Sequence, residues 1–120
     1  MELLDPTPNG YSQVARIPST STLVWVSGQI ADGDGWEEQS RAVFQNVGAA
    51  LATGGASWRD VFKLTIFVVD VSEIATIRRV RDEFVDPAKP PTSSLVKVAG
   101  LVRPELLLEV EAVAAIRRVV

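Results

Sequence analysis

An α+β fold, a mixed β-sheet carrying two helices on one face, is what the hydrophobic periodicity of this sequence predicts. Three observations carry that prediction. The C-terminal run from Leu106 to Ala115 alternates at a period of two, so Leu106, Leu108, Val110, Ala112, Ala114 and Ile116 make one wholly apolar strand face. The stretch Val61–Val71 is β-branched and apolar on both faces apart from Lys63, Thr65 and Asp70, which marks a strand central in its sheet. Twice the period lengthens to the helical one, over residues 36–53 and again after Ser72. The resulting order is β-β-loop-α-β-α-β-β in a single domain, residues 1–120. With both helices on one face, the other face keeps Val, Leu and Trp side chains uncovered, so association through it is expected.

Residues 1–10, with Pro6, Pro8 and the Asn9-Gly10 pair, read as an irregular arm ending in a turn. Tyr11–Arg16 is a short strand, stopped by Pro18 and a Ser/Thr cluster. Thr22–Ala31 is a firmer one, with Leu23, Trp25, Ser27 and Gln29 on one face. A glycine inside that strand, Gly28, predicts a bulge or a close backbone approach. The Asp32–Gly35 loop leads to the first helix, whose apolar stripe is Val43, Val47, Ala50 and Leu51, flanked by Phe44. Gly54-Gly55 ends it by supplying left-handed backbone geometry, and Ser57 caps a single turn through Asp60. Ser72 caps the second helix, which carries Ile74, Ile77, Val80 or Arg81, and Phe84 at three-to-four spacing. Asp86-Pro87 and Pro90-Pro91 close it and lead into a strand over Thr92–Ala99.

Composition excludes much chemistry. The chain has no Cys and no His, which removes thiol catalysis, disulfides, imidazole acid–base work and the usual zinc sites. A net charge of −3 with no basic stripe argues against a nucleic-acid partner. The apolar runs are strand-length and interrupted by charges, so no membrane partner is expected, nor is a cofactor. The N-terminus lacks the pattern of a signal peptide, and a cytoplasmic location is the expectation.

Any catalysis must therefore use carboxylates, hydroxyls, Arg, Lys, backbone amides or water. Glu109 and Glu111 sit about 7 Å apart on the second face of the C-terminal strand, where a carboxylate must meet water, a cation or a donor. Lys97 across a hairpin from Glu109 or Glu111 would make both inert. Thr92, Ser93 and Ser94 offer hydroxyls and amides at a strand start. Asn46 satisfies a neighbouring loop or backbone. Arg78, Arg79 and Arg81 cluster on the second helix as a solvated face, from which Arg81, sharing the apolar stripe, can reach inward.

The landmarks Tyr11-Ser-Gln13, Val26-Ser-Gly-Gln-Ile30, Gln39 with Asn46, Gly54–Val61, Lys63–Asp70, Pro90–Leu101 and Leu108–Ala114 together resemble the YjgF/RidA family, the reactive intermediate deaminases. The resemblance spans nearly the whole chain. It implies a chorismate-mutase-like α+β fold, a homotrimer and small-molecule pockets at the subunit interfaces. It also implies hydrolysis of enamine or imine intermediates to 2-keto acids and ammonia, with an Arg clamping the substrate carboxylate and a Glu positioning or activating water. On that resemblance Glu109 is the catalytic carboxylate, and Tyr11 and Ser27 lie near the pocket.

Where the resemblance expects the clamping Arg, this sequence has Ser93. A hydroxyl does not replace a guanidinium fork, and losing two charge-assisted hydrogen bonds would weaken carboxylate binding on the order of a hundredfold. Poor turnover of ordinary 2-imino acids is the corresponding expectation. Arg78, standing where the family carries an Asn, could return the charge from another direction, with Ser93 and Ser94 completing the candidate binding set. The sequence thus predicts a small-metabolite-binding trimer with imine or enamine hydrolysis as its chemistry. Two rivals stand beside it: a trimer that binds ligand without catalysis, and a hydrolase of an aminated intermediate that has no carboxylate. The ribonuclease activity sometimes attached to the family finds neither a His nor a basic groove here.

Overall fold

The computed structural model describes residues 1–117 of the 120-residue chain. Its elements run β1 (Glu2–Pro6), β2 (Ser12–Arg16), β3 (Ser21–Gln29), α1 (Gly35–Thr53), a 3-10 turn (Trp58–Asp60), β4 (Val61–Val68), α2 (Ile74–Arg81), β5 (Thr92–Lys97) and β6 (Leu108–Arg117). The strands form one sheet in the order β1-β2-β5-β4-β6-β3. β5 runs parallel to β4 and, at Ser12 and Thr92, to β2; the remaining pairings are antiparallel. A mixed sheet with two helices is the α+β fold that the periodicity predicts.

β4 lies inside the sheet, between β5 and β6, as its two apolar faces require. Its Leu64, Ile66 and Val68 are no more than 3% exposed and pack toward the helices, while Thr65 and Phe67 are half-buried on the other side. β6 splits in the expected way. Leu108, Val110, Ala112 and Ala114 are at most 2% exposed and join Val43, Phe44, Val47 and Leu51 of α1 in one core. At the centre of the helical layer, Phe44 stacks on Phe84 at 5.6 Å between ring centroids and meets Trp58 at 5.8 Å. Gly55 (φ +80°) supplies the left-handed residue that ends α1. Ser57 and Asp60 close the 3-10 turn by the Ser57 amide donating to the Asp60 carboxylate at 2.9 Å.

Three expectations are corrected. Residues 1–10 are not an irregular arm: β1 pairs with β2 from Glu2–Arg16 to Pro6–Ser12, and the Asn9-Gly10 pair falls in the hairpin's turn. The prolines did not prevent this because β1 is an edge strand, where a missing donor is tolerated. Ser72 does not cap α2, which starts later, at Ile74 behind Glu73; the Ser72 amide instead donates to Asp70 Oδ1 at 2.8 Å. Lys97 does not face Glu109 across a hairpin, because β4 stands between their strands: Lys97 is in register with Val68, and Glu109 with Phe67.

Charged pairs tie the helical layer together. Arg41 of α1 holds Glu83 just beyond α2 by two hydrogen bonds, 2.9 and 2.5 Å, and Arg79 of α2 pairs with Glu37 of α1. The Arg41 guanidinium draws the Glu83 carboxyl below its ordinary pKa. Arg103 does the same to Glu105, and the Ser72 amide to Asp70.

Two outcomes are expected. Phe44→Ala should cost about 3–5 kcal/mol, since it opens a cavity under Phe84 and Trp58; a urea midpoint near that of the unaltered protein would refute this packing account. Because the Asp70, Glu83 and Glu105 carboxyls titrate below their unfolded values, their contribution is fully present above the ordinary carboxylate range, about pH 4, and is lost as pH falls through their folded values. The melting temperature should therefore hold near neutrality and drop on acidification, with a shallower acid limb in Glu83→Gln. Identical acid limbs in calorimetry would count against the Arg41 pairing.

Candidate functional site

Glu109 and Glu111 alternate with the buried side chains of β6, and so lie on the sheet face away from the helices. Their register partners on β4 are Phe67 and Thr65. On the other flank, β3 shifts register between Val26 and Gln29, leaving Ser27 and Gly28 in a bulge. That bulge brings the Gly28 backbone against Glu109: a Cβ at position 28 would lie 2.3 Å from Oε2 and 2.7 Å from Cδ of the carboxylate. Both the bulge and the close approach expected of a glycine inside a strand are thus present, and their consequence is to seat the carboxylate. Ser27 is exposed beside it, its carbonyl accepting from Gln29 Nε2 at 3.0 Å. Large apolar side chains share this open face, with Trp25 74%, Leu23 46% and Val96 42% exposed.

A second group forms on the helix side of the sheet. A cavity of about 150 Å³ is lined by Tyr11, Ser93, Arg78 and Arg81 over the apolar Ile66 and Leu95. Tyr11 arrives there because Ser12 docks β2 onto β5. The Ser12 amide donates to the Pro91 carbonyl at 3.0 Å, and its buried hydroxyl to the Pro90 carbonyl at 2.6 Å. Ser93 and Leu95 point into the helix-side layer, so Ser94 and Val96 take the open face, where Ser94 Oγ accepts from Lys63 Nζ at 2.8 Å. Arg81 is 4% exposed and, as its place in the apolar stripe allowed, reaches inward. Its Nε donates to Asp82 Oδ1 at 3.1 Å and its Nη2 to the Asn9 carbonyl at 3.4 Å.

The six residues singled out by the sequence therefore fall into two sets. Glu109, Ser27 and Ser94 belong to the open face, and Tyr11, Ser93 and Arg78 to the cavity under α2. Within one chain the sheet separates them. Asn46 behaves as expected, its Nδ2 donating to the Ile30 carbonyl at 2.9 Å. Gln39, noted only for its position, is a buried clamp: its Oε1 accepts from the Leu107 amide at 2.6 Å and so sets the entry of β6. A polar residue on a buried helix stripe is the signal that points to such a role. Ser12 was also missed, since nothing local announces the docking of β2.

The family model described as Endoribonuclease L-PSP matches residues 4–116. The chain belongs to this family, the YjgF/RidA proteins. A RutC family protein of Synechocystis is 32% identical over 113 residues, covering 90% of this chain and 80% of that one. With TdcF of Escherichia coli the identity is 39% over 80 residues, 65% of this chain and 61% of that protein. The crystal structure of TdcF with bound serine matches with a TM-score of 0.70 at 29% identity, covering 91% of this chain and 95% of that one. Reactive Intermediate Deaminase A of Arabidopsis thaliana is 29% identical over 96 residues, 76% of this chain and about half of that longer protein, 51%. These relatives put the function of the chain within the RidA family. No helix of the described residues is long and apolar enough to cross a membrane.

The Gly28–Glu109 contact of this RidA-family chain predicts a specific coupling. Gly28→Ala should destabilise by about 1–3 kcal/mol through overpacking, and adding Glu109→Ala should recover most of that loss. Strictly additive effects in a double-mutant cycle of urea midpoints would mean that the two residues do not touch.

Proposed function

We propose that this chain acts as a homotrimeric RidA-type hydrolase, opening a reactive enamine or imine in a cleft between subunits with Glu109 as the group that activates water. The observation that carries the reading is the seating of Glu109: a carboxylate held against the Gly28 backbone, on a sheet face that also exposes Trp25, Leu23 and Val96. An uncovered apolar face of this kind favours a partner, and a second copy is the partner that a RidA-family chain would take. Assembly also supplies what a single chain lacks. Glu109 lies on one sheet face and Ser93, Tyr11 and Arg78 on the other, so they can serve one ligand only if neighbouring copies bring the two faces together.

The chemistry is within reach of these groups. A carboxylate beside the imine carbon takes a proton from water as the oxygen attacks, giving a carbinolamine. That proton passes to nitrogen, the hydroxyl proton follows as the carbonyl forms and the carbon–nitrogen bond breaks, and the products are a carbonyl compound and ammonia. The names of relatives, Reactive Intermediate Deaminase A among them, support this assignment, as does the serine bound to TdcF. On this reading Ser27 and Ser94 lie in the rim contributed by the open face.

The test uses the full chain. Light scattering at micromolar concentration should give three times the 13.0 kDa chain mass. An imine generated by an amino-acid oxidase should decay faster with the protein than without, against the poor turnover that Ser93 by itself implies, and Glu109→Gln should abolish the acceleration while leaving the melting temperature nearly unchanged. A monomer, or a Glu109→Gln variant as active as its parent, would overturn the proposal.

A further inference from the structure

A separate cavity, of about 430 Å³, opens on the helix side of the sheet at the Val61 end of β4. It shares no lining residue with the cavity beside Ser93, whose Ile66 stands five residues, about 16 Å, further along the strand. Its floor is apolar. Val61, Val85 and Pro91 are buried, and Leu3, Leu4 and Trp58 are half-buried around them. The volume falls within the roughly 300–1,000 Å³ of pockets that take small organic molecules.

Four charged side chains stand around this floor, and the two acids are already engaged. Glu2 pairs with Arg16 at 3.5 Å, and Asp86 Oδ1 accepts from the Ala88 amide at 2.9 Å. The two cations, Arg59 and Lys89, have no ion-pair or hydrogen-bond partner among the described residues. Solvated cations are ordinary on a surface, but these two rise from fixed turns. The turn under Arg59 is closed twice at 2.9 Å, by the Asp60 amide on the Ser57 carbonyl and by the Ser57 amide on the Asp60 carboxylate. Under Lys89, its own amide donates to the Asp86 carbonyl at 3.1 Å. Little backbone ordering is therefore left for a ligand to impose. A cationic ligand would have to compete with Arg16 or the Ala88 amide, whereas an anionic one meets two unengaged partners.

We infer that this cavity is a second ligand site, which takes an organic anion with an aromatic or branched apolar body. The body lies against Trp58, Val61 and Val85, and the anionic head meets Arg59 and Lys89 at the rim. The site does not depend on imine hydrolysis. Glu109 of the same chain is on the other face of the sheet, out of reach of a molecule held here.

The full chain has three tryptophans, and the indole N–H resonance of Trp58, assigned through Trp58→Phe, reports on this cavity without reference to activity. Titration with 4-phenylbutanoate should shift it saturably. The neutral 4-phenylbutanamide and the ringless butanoate should each bind about tenfold more weakly or worse. Arg59→Gln with Lys89→Gln alters only exposed side chains, so it should keep the melting temperature and weaken 4-phenylbutanoate about tenfold. Glu109→Gln, which disables the proposed hydrolysis, should leave the midpoint where it was. An unmoved Trp58 signal at tens of millimolar 4-phenylbutanoate would overturn the inference. So would equal affinity for the amide or for butanoate, or an unaltered midpoint in the Arg59 and Lys89 double variant. A midpoint changed by Glu109→Gln, or shifts at Trp25 alone, would place the ligand at the open face and overturn it as well. Imine hydrolysis without these shifts would uphold the hydrolase and sink the second site; saturable shifts without hydrolysis would do the reverse.

Discussion

The placement of β4 between β5 and β6 is the constraint from which the rest of the molecule follows. A strand apolar on both faces must be covered on both, and two helices cover only one. The helix side is filled by Leu64, Ile66 and Val68 against Val43, Phe44, Val47 and Leu51. The opposite side keeps Phe67 and Thr65 half-buried, in register with Glu109 and Glu111. Glu109, Ser93 and Ser94 each take their face from their register with this strand. Glu109 is opposite Phe67 and therefore open, and Ser93 is opposite Leu64 and therefore under α2.

That constraint also explains what was legible in the sequence. The two faces of β6, the central rank of β4, the stripe of α1, the bulge at Gly28 and the inward reach of Arg81 are all local periodicities, fixed within a few residues of where they are read. Strand partners are not. Nothing in Val96-Lys97-Val98 states that β4 intervenes before β6, so the imagined pairing of Lys97 with Glu109 failed on topology rather than on chemistry. The hairpin of β1 was hidden for a related reason. Pro6 and Pro8 are breakers in a central strand, but at a sheet edge their missing amides cost nothing. The start of α2 shows a third kind of miss: Ser72 is a good cap by type, yet the helix begins one residue too late for it, at Ile74 behind Glu73.

The arginines of α2 show how one short segment serves unlike ends. At about 100° per residue, Arg79 swings out toward α1, where it binds Glu37 in solvent and contributes little to stability. Arg78 and Arg81 fall on the other side, against the sheet. A basic cluster read as one solvated face is therefore divided by helix geometry into a surface tie, a half-buried Arg78 and a buried Arg81. Burial of Arg81 is the costlier choice, because a well-packed apolar residue at the same place would need no counter-charge.

The N-terminal hairpin supplies one wall of the cavity beside this pair, through Tyr11. β2 touches β5 through the single register pair of Ser12 with Thr92, reinforced by the two hydrogen bonds of Ser12 to Pro90 and Pro91. That narrow attachment is what carries Tyr11 to Ser93, and it brings the Asn9-Gly10 turn against Arg81. β1 in turn holds β2 along four register pairs, from Glu2–Arg16 to Pro6–Ser12. The segment whose structure was least legible is therefore the wall of the site. A buried guanidinium, a glycine with no room for a side chain and a serine bridging two prolines are separate features in the sequence, and only the closed hairpin makes them one.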